Sequence, residues 1–311
     1  MTQNEAPNGV TTRALNRSAV TYDRREALVA LLAVPIALAA GASMATETVD
    51  YPVWTIETGG GGRVYLFGHT PPRPLDWSDS RIEGLLRTCS SLWDETNQTE
   101  RTDAQGLMKR YGIDPNKPLN TWLSPSDQDR LSQAAKIAGV PEDALQPFRP
   151  WLAGQALEGA FFSAKGVNGR NADAVLVSEA SEAGLSVSSE FATKEDAARW
   201  LADFSPVQEV QYLRYILDEI LAGHDEGQRI YADWAIGKDV RAADWVANMK
   251  QLYPELYHSL LIRRNQGWVP RVRSMLAQPK PTMIVVGLYH LVGPDSIQAQ
   301  LRANGLHVKR I

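Results

Sequence analysis

The chain contains a single cysteine, Cys89, among its 311 residues. One cysteine cannot form a disulfide within the chain, and it cannot build a zinc site from cysteine thiolates. Histidine is also scarce, because the whole sequence contains five. A metal ion, if the protein binds one, therefore has to be held by histidine and carboxylate side chains.

The sequence also lacks a large excess of charge of either sign. Its 32 Lys and Arg residues are nearly matched by 36 Asp and Glu residues, which gives a formal net charge of −4 at pH 7. The basic residues are spread along the chain, whereas nucleic-acid-binding proteins concentrate Lys and Arg on one face or one helix. We therefore expect no nucleic-acid partner.

Long hydrophobic runs are absent except near the N-terminus. Arg24-Arg25 precede an apolar run from Ala27 to Ala40, which ends in Ala40-Gly41-Ala42. This is the layout of a secretory signal peptide. The run contains Pro35 and is shorter than the roughly 20 residues of a membrane-spanning helix.

We accordingly predict that residues 1–42 are a signal peptide and that the mature protein is exported to the periplasm or cell envelope. The arginine pair resembles a twin-arginine signal, although the match is partial. The alternative is an uncleaved N-terminal anchor, which would be the chain's contact with the membrane.

Strand patterns lie at the two ends of the remaining chain. Val53–Ile56 and Val64–Phe67 flank the glycine run Gly59–Gly62, which predicts a hairpin. A third short strand is predicted at Leu92–Asp94. Met283–Val286 is a continuous apolar run, as expected of a strand that is buried on both faces.

Helical patterns fill most of the region from about residue 102 to 277. Helix starts are indicated by Ser124, by Thr193 and, before this region, by Ser78. A short strand is predicted at Leu185–Val187. The sequence thus predicts one α/β domain over residues 43–311, in which a central mixed β-sheet built from N- and C-terminal strands carries a large helical insert or cap.

Two predicted strands end in a glycine that is followed closely by a histidine. Val64–Phe67 leads into Gly68-His69, and Met283–Val286 leads into Gly287-Leu288-Tyr289-His290. Ligands of α/β sheets bind at the carboxyl ends of strands, where glycine permits close approach of the backbone. Two such histidines and a carboxylate would form a small metal site. The alternative is that both histidines only pack or face solvent.

The C-terminal segment Val285–Asp295, with Leu301-Arg302 and Gly305 beyond it, resembles the closing signature of the TraB/GumN family. This family comprises the TraB/PrgY/GumN/Tiki-like proteins of the EreA/ChaN-like superfamily. Other segments resemble it in the right order, namely Val64–Gly68, Leu92–Glu95, Pro150-Trp151, Ser189-Glu190 and the R-N-x-x-W segment Arg264–Trp268. The resemblance covers most of residues 51–311.

The first motif departs from the family pattern of glycine, two residues and histidine. This chain has Gly68-His69-Thr70-Pro71. Either two residues are deleted and His69 replaces the family histidine, or the register is ungapped and Pro71 stands in its place.

The resemblance implies a metal-dependent, peptidase-like hydrolase of the cell envelope. A divalent ion such as manganese, cobalt, zinc or iron would be held by His69, His290, Glu95 and Glu190. Glu95 would be either a ligand or the general base, Arg264 would stabilise an oxyanion, and Asn265 would orient Arg264 or the substrate. The predicted cofactor-binding residues of the two strand-end motifs are Gly68, Gly287 and Tyr289.

A peptide or protein is therefore the expected substrate. The alternative is a non-catalytic or degenerate member of the family that binds a ligand such as haem or iron, or an envelope partner. The two hypotheses differ in whether His69, Glu95 and His290 converge on one site, as a catalytic centre requires.

Overall fold

The computed structural model describes residues 49–59, 61–70, 75–167 and 169–311. The predicted signal peptide, residues 1–42, and Pro71 of the alternative register lie outside the described residues. In the part of the chain that is described, no helix is both long and apolar enough to cross a membrane.

The described residues form a mixed six-stranded sheet in the order β4-β3-β5-β2-β1-β6. Its strands are β1 (Val53–Glu57), β2 (Arg63–His69), β3 (Ser91–Asp94), β4 (Ser186–Ser189), β5 (Thr282–Gly287) and β6 (Val308–Arg310). β1 pairs antiparallel with β2 and β6, whereas β2, β5, β3 and β4 run parallel. The predicted hairpin and the predicted α/β fold with a helical part are both confirmed.

β5 occupies the centre of the parallel half of the sheet, between β2 and β3. Its residues Met283, Val285 and Val286 are fully buried, as the continuous apolar run predicts. The register pairs His69 with Gly287 and Asp94 with Val285. The carboxyl ends of β2, β3 and β5 therefore lie side by side at one edge of the sheet.

Helices account for most of the remaining chain. They are α1 (Ser80–Arg87), α2 (Ala104–Gly112), α3 (Pro125–Ala138), α4 (Glu142–Leu145), α5 (Pro150–Ala164), α6 (Ala172–Glu182), α7 (Lys194–Ala202), α8 (Pro206–Ala222), α9 (His224–Ala235), α10 (Val240–Leu252), α11 (Pro254–Tyr257), α12 (Arg263–Leu276) and α13 (Ile297–Ala303). The helical region from about residue 102 to 277 is interrupted by β4, which extends the sheet.

Most helix starts follow the predicted capping residues. The Ser124 side chain caps α3, and Thr193 forms a capping box with Asp196 at the start of α7. The prediction for Ser78 was wrong by one residue, because Asp79 is the N-cap of α1. The Asp79 carboxylate accepts hydrogen bonds from two backbone amides of the first turn, which satisfies two donors at once.

The buried side chains form two hydrophobic clusters, one on the sheet and one inside the helical region. Trp234 belongs to the first cluster and Trp151 to the second, and both are fully buried. Tyr212 and Tyr215 of α8 pack against both clusters. These two tyrosines thus connect the helical cluster to the sheet cluster.

A π-helical segment, His258–Ile262, connects α11 to α12 without a break. A π turn adds one residue to a helical turn, changes the face on which later side chains lie, and is often found at functional sites. Arg264 and Asn265 lie in the first turn of α12, which follows this segment.

Gly68 shows why the first strand-end motif requires glycine. A Cβ atom at this position would lie 2.6 Å from Cζ2 of Trp234 and 2.8 Å from Cδ1 of Leu291. The indole nitrogen of Trp234 also donates a hydrogen bond of 3.0 Å to the Gly68 carbonyl oxygen. Trp234 therefore fixes the backbone at the end of β2.

We predict that Gly68→Ala lowers the free energy of unfolding by about 1–3 kcal/mol, because the added methyl group overpacks a buried contact. Gly159→Ala is the matched control, since a Cβ at Gly159 in α5 meets nothing within 4 Å. The control should be neutral or gain about 0.5–1 kcal/mol from helix propensity. Urea unfolding of both variants measures the difference, and equal stabilities would contradict this account of Gly68.

Candidate active site

Three predicted site residues converge at the carboxyl edge of the sheet. His69 ends β2, Glu95 follows β3, and His290 lies in the 3-10 turn Leu288–Leu291 after β5. The Glu95 carboxylate joins the two imidazoles, because its Oε1 lies 3.1 Å from His69 Nε2 and its Oε2 lies 3.2 Å from His290 Nε2.

The glycine of the second strand-end motif lets the backbone reach the same carboxylate. The Gly287 amide donates a hydrogen bond of 2.8 Å to Glu95 Oε1. A Cβ at Gly287 would lie 3.0 Å from that oxygen, a distance at which the carboxylate would have to move. Glycine is therefore required for this backbone amide to approach Glu95.

Arg264 supplies the positive charge of the cluster. Its Nη2 donates to Glu95 Oε2 at 3.1 Å and to Glu190 Oε2 at 2.6 Å, and its Nε donates to Glu190 Oε2 at 3.0 Å. The guanidinium carbon lies 5.4 Å and 5.2 Å from the ring centroids of Trp200 and Trp268. Two carboxylates and two aromatic rings thus hold a side chain that is 13% exposed.

Asn265 determines which nitrogen of His290 carries a proton. The Asn265 amide group donates to the Asp295 carbonyl oxygen at 2.8 Å, so its own Oδ1 faces His290 Nδ1, also at 2.8 Å. Because Oδ1 can only accept, His290 Nδ1 must be the donor. The Nε2 atom is left facing Glu95 and lies 3.3 Å from Arg264 Nη1.

The two histidines have opposite pKa shifts. Burial lowers the pKa of His290 and outweighs the Glu95 carboxylate, which acts in the opposite direction, and the Arg264 guanidinium lowers this pKa further. Burial would also lower the pKa of His69, but the carboxylates of Asp173 and Glu95 outweigh it and raise this pKa to about 9. At neutral pH, His69 is therefore an imidazolium, and His290 is a neutral imidazole with an unprotonated Nε2.

Glu95 is ionised over the whole physiological range. Its burial opposes the charge, but its two imidazole partners, of which His69 is the charged one at neutral pH, and the Arg264 guanidinium hold its pKa well below the ordinary value. A carboxylate that is stabilised so strongly is a weak proton acceptor.

Two buried aspartates near His69 were not predicted from the sequence as residues of the site. Asp173, in the first turn of α6, has its Oδ1 3.9 Å from His69 Nδ1 and accepts a hydrogen bond of 3.0 Å from Gln98. Burial, together with the neighbouring charge of Asp173, raises the pKa of Asp94 to about 7. Asp94 could have been suspected from its place at the end of β3, whereas no local pattern connects Asp173 with His69.

A cavity of about 530 Å³ adjoins the cluster, where the helical region meets the sheet edge. This volume lies within the range of about 300–1,000 Å³ that is typical of small-molecule sites. The predicted residues that line the cavity are Glu95, Arg264, Gly287, Tyr289 and His290. The predicted residues outside its lining are Gly68, His69, Glu190 and Asn265, of which the last three contact lining residues.

The donor types at this site are those of a zinc, manganese, cobalt or iron site, but their arrangement does not fit an ion. Each Nε2 faces a different oxygen of Glu95, and the Arg264 guanidinium lies beside His290 Nε2. Within the described ranges, no group of three or more His, Cys, Asp or Glu side chains is placed to hold a metal. The divalent metal stays a prediction from the sequence.

Tyr289 also lines a second, narrow cavity, together with two partly buried carboxyl groups, Glu158 of α5 and Glu219 of α8. Burial raises the pKa of Glu158 to about 7. Burial, together with the charge of Glu158, raises the pKa of Glu219 to about 8. These two carboxyl groups therefore retain protons at pH values at which a solvated glutamate is ionised.

We predict that the protein loses stability as pH rises from about 4.5 towards 8, because the folded state holds protons that the unfolded chain releases at lower pH. Glu219→Gln removes one such group, so its stability relative to the unsubstituted protein should improve from pH 5 to pH 8.5. Urea unfolding at both pH values measures this change. The exposed Glu255→Gln is the control, and a Glu219→Gln effect equal to it would contradict the prediction.

We also predict that Asn265→Leu lowers the free energy of unfolding by about 1–3 kcal/mol, because it leaves His290 Nδ1 and the Asp295 carbonyl without a partner. The neighbouring, exposed Gln266→Leu should change stability by less than about 0.5 kcal/mol. Urea unfolding compares the two variants, and similar losses would refute the role of Asn265 as the buried partner of His290.

The family model described as the TraB/PrgY/gumN family matches residues 52–310, which is nearly all of the described chain. The chain therefore belongs to this family, as its motifs predicted. Neither the curated proteins nor the solved structures gave a match.

Proposed function

We propose that this member of the TraB/PrgY/gumN family is a hydrolase that cleaves a peptide-like amide bond at the cluster of Glu95, Arg264 and His290. The observation that carries the proposal is that a neutral histidine, an ionised carboxylate and a buried guanidinium meet on the wall of one cavity. Hydrolysis of a carbonyl compound can use such groups as the general base, its electrostatic partner and the stabiliser of the oxyanion.

His290 is assigned the role of general base. Its Nδ1–H donates a hydrogen bond to Asn265 Oδ1, and its lowered pKa leaves Nε2 free of a proton at neutral pH. A neutral imidazole that is held in one orientation can take a proton from an attacking water molecule.

Glu95 is assigned an electrostatic role. The family resemblance offered it as either a ligand or the base, but its depressed pKa makes it a weaker base than His290. Its Oε2 lies 3.2 Å from His290 Nε2, so it would stabilise the imidazolium that forms when His290 accepts a proton. The other oxygen of Glu95, Oε1, pairs with His69 Nε2.

Arg264 is assigned the stabilisation of the oxyanion. Its guanidinium lines the cavity next to His290, and Glu190, Trp200 and Trp268 hold it in place. A fixed, partly desolvated cation stabilises the negative charge that develops on a carbonyl oxygen without having to reorient.

A second candidate function is the non-catalytic binding of an apolar ligand such as haem. It is supported by the cavity wall, in which apolar and aromatic side chains predominate. The location in the cell envelope and the divalent metal are further proposals, and none of the roles assigned above depends on the metal.

We predict that the purified protein cleaves peptides in a mixture derived from a bacterial proteome, as measured by mass spectrometry. His290→Asn and Arg264→Lys should lower the cleavage rate by at least about 100-fold, since they remove the base and the oriented guanidinium. The exposed residues His258 and Arg263 offer controls matched in type, since His258→Asn and Arg263→Lys should cleave like the unsubstituted protein.

The assay is run with a chelator and with added manganese, cobalt, zinc or iron, beside a measurement of metal content. Metal that binds near-stoichiometrically and is lost in His290→Asn would support the metal-dependent form of the proposal. No cleavage by the unsubstituted protein under any of these conditions would reject the hydrolase and leave the ligand-binding function.

A further inference from the structure

We infer that the cavity beside the cluster selects a peptide by a large apolar side chain, preferably an aromatic one, next to the bond that is cleaved. This inference rests on the proposed function, because it assigns the cavity to the substrate of that site. It goes beyond that function by naming what the substrate must carry.

The cavity wall is built mainly from apolar and aromatic side chains of the helical region. Trp151 comes from α5, Trp200 from α7, Tyr212 from α8 and Met249 from α10, while Leu261 comes from the π-helical segment. Five separate segments thus contribute a large apolar side chain to one surface. Three of these five side chains are aromatic, and aromatic side chains pack favourably against one another.

The charged residues of the cavity wall offer little to a charged side chain of the substrate. Glu95 and Arg264 are charged lining residues, but they are already paired with each other at 3.1 Å. Lys194 is the other charged residue of the lining, at the first position of α7. The polar side chains of the lining, Thr96, Asn97, Gln98 and Gln155, are uncharged and outnumbered by apolar ones. An acidic side chain that entered between Trp151 and Tyr212 would therefore lose its hydration for few partners.

The position of the cavity connects this selection with the chemistry. The same cavity is lined at the sheet edge by His290 and Arg264, and by aromatic side chains on the helical side. A peptide whose carbonyl group lies at Arg264 would therefore place an adjacent side chain against the aromatic wall. Burial of a phenylalanine-sized side chain corresponds to roughly a tenfold to hundredfold gain in affinity.

The test measures binding separately from cleavage. Two short acetylated and amidated peptides, which differ only in a central phenylalanine or aspartate, are titrated into His290→Asn, and binding is followed by calorimetry. The phenylalanine peptide should bind at least tenfold more tightly than the aspartate peptide. Equal affinities would overturn the inference.

Filling the cavity provides the structural control. Ala197 lines the cavity from α7, so Ala197→Phe, made in the same background, should weaken binding of the phenylalanine peptide by at least tenfold. Ala232→Phe adds the same ring at an exposed position of α9 and should leave binding unchanged. If Ala197→Phe fails to fold, Ala197→Val should give a smaller loss. An unchanged affinity in the folded Ala197 variant would refute the assignment of the cavity.

The outcomes for the two proposals can be told apart. Preferential binding of the phenylalanine peptide without cleavage by the unsubstituted protein would support the selectivity of the cavity and reject the hydrolase. Cleavage at sites with no preference for apolar side chains would support the hydrolase and reject the selectivity. Tighter binding of a decanoyl amide than of the phenylalanine peptide would reject a peptide as the occupant.

Discussion

The buried carboxylate of Glu95 is the constraint on which the arrangement of the site depends. Removal of a carboxylate from water is costly unless charged and hydrogen-bonding partners replace the water. Glu95 is satisfied by His69 at the end of β2, by the Gly287 amide at the end of β5, and by Arg264 of α12. These partners come from three separate segments, so the carboxylate couples the sheet edge to the helical region. A partner removed from this set would leave a buried charge only partly compensated.

Correct pairing of the parallel strands is what brings these partners together. β5 lies between β2 and β3, and its register places Gly287 beside His69 and Val285 beside Asp94. A slip of one residue would place Val286 or Leu288 beside His69 instead of Gly287, and would move the backbone amide that donates to Glu95. A Cβ at Gly68 would clash with Trp234, and a Cβ at Gly287 would press on the Glu95 carboxylate. The glycines therefore set both the end of each strand and the position of the histidine that follows.

The sequence predicted the parts of the site that depend on local patterns. The convergence of His69 and His290 followed from the two strand-end motifs, and Glu95 and Arg264 followed from the family resemblance. Asp173 was missed because it reaches His69 through the packing of α6 against the sheet, which leaves no periodic signal in the sequence. The aromatic wall was also missed, since the spacing of Trp151 and Trp200 along the chain does not reveal that they face one cavity. The sequence alone does not distinguish a tryptophan in the core from one in a cavity wall, because the difference depends on how the helices pack.

The two sides of the cavity divide the proposed chemistry from the proposed selectivity. The sheet edge supplies Glu95 and His290, whose positions depend on strand register and on buried hydrogen bonds. The helical region supplies the cavity wall, in which a change of side-chain volume alters the space available without touching those bonds. Arg264 connects the two, because it contacts Glu95 on one side and Trp200 of α7 on the other. Substitutions in α5, α7 and α8 can therefore change what enters the cavity, whereas substitutions around Arg264 affect binding and the proposed chemistry together.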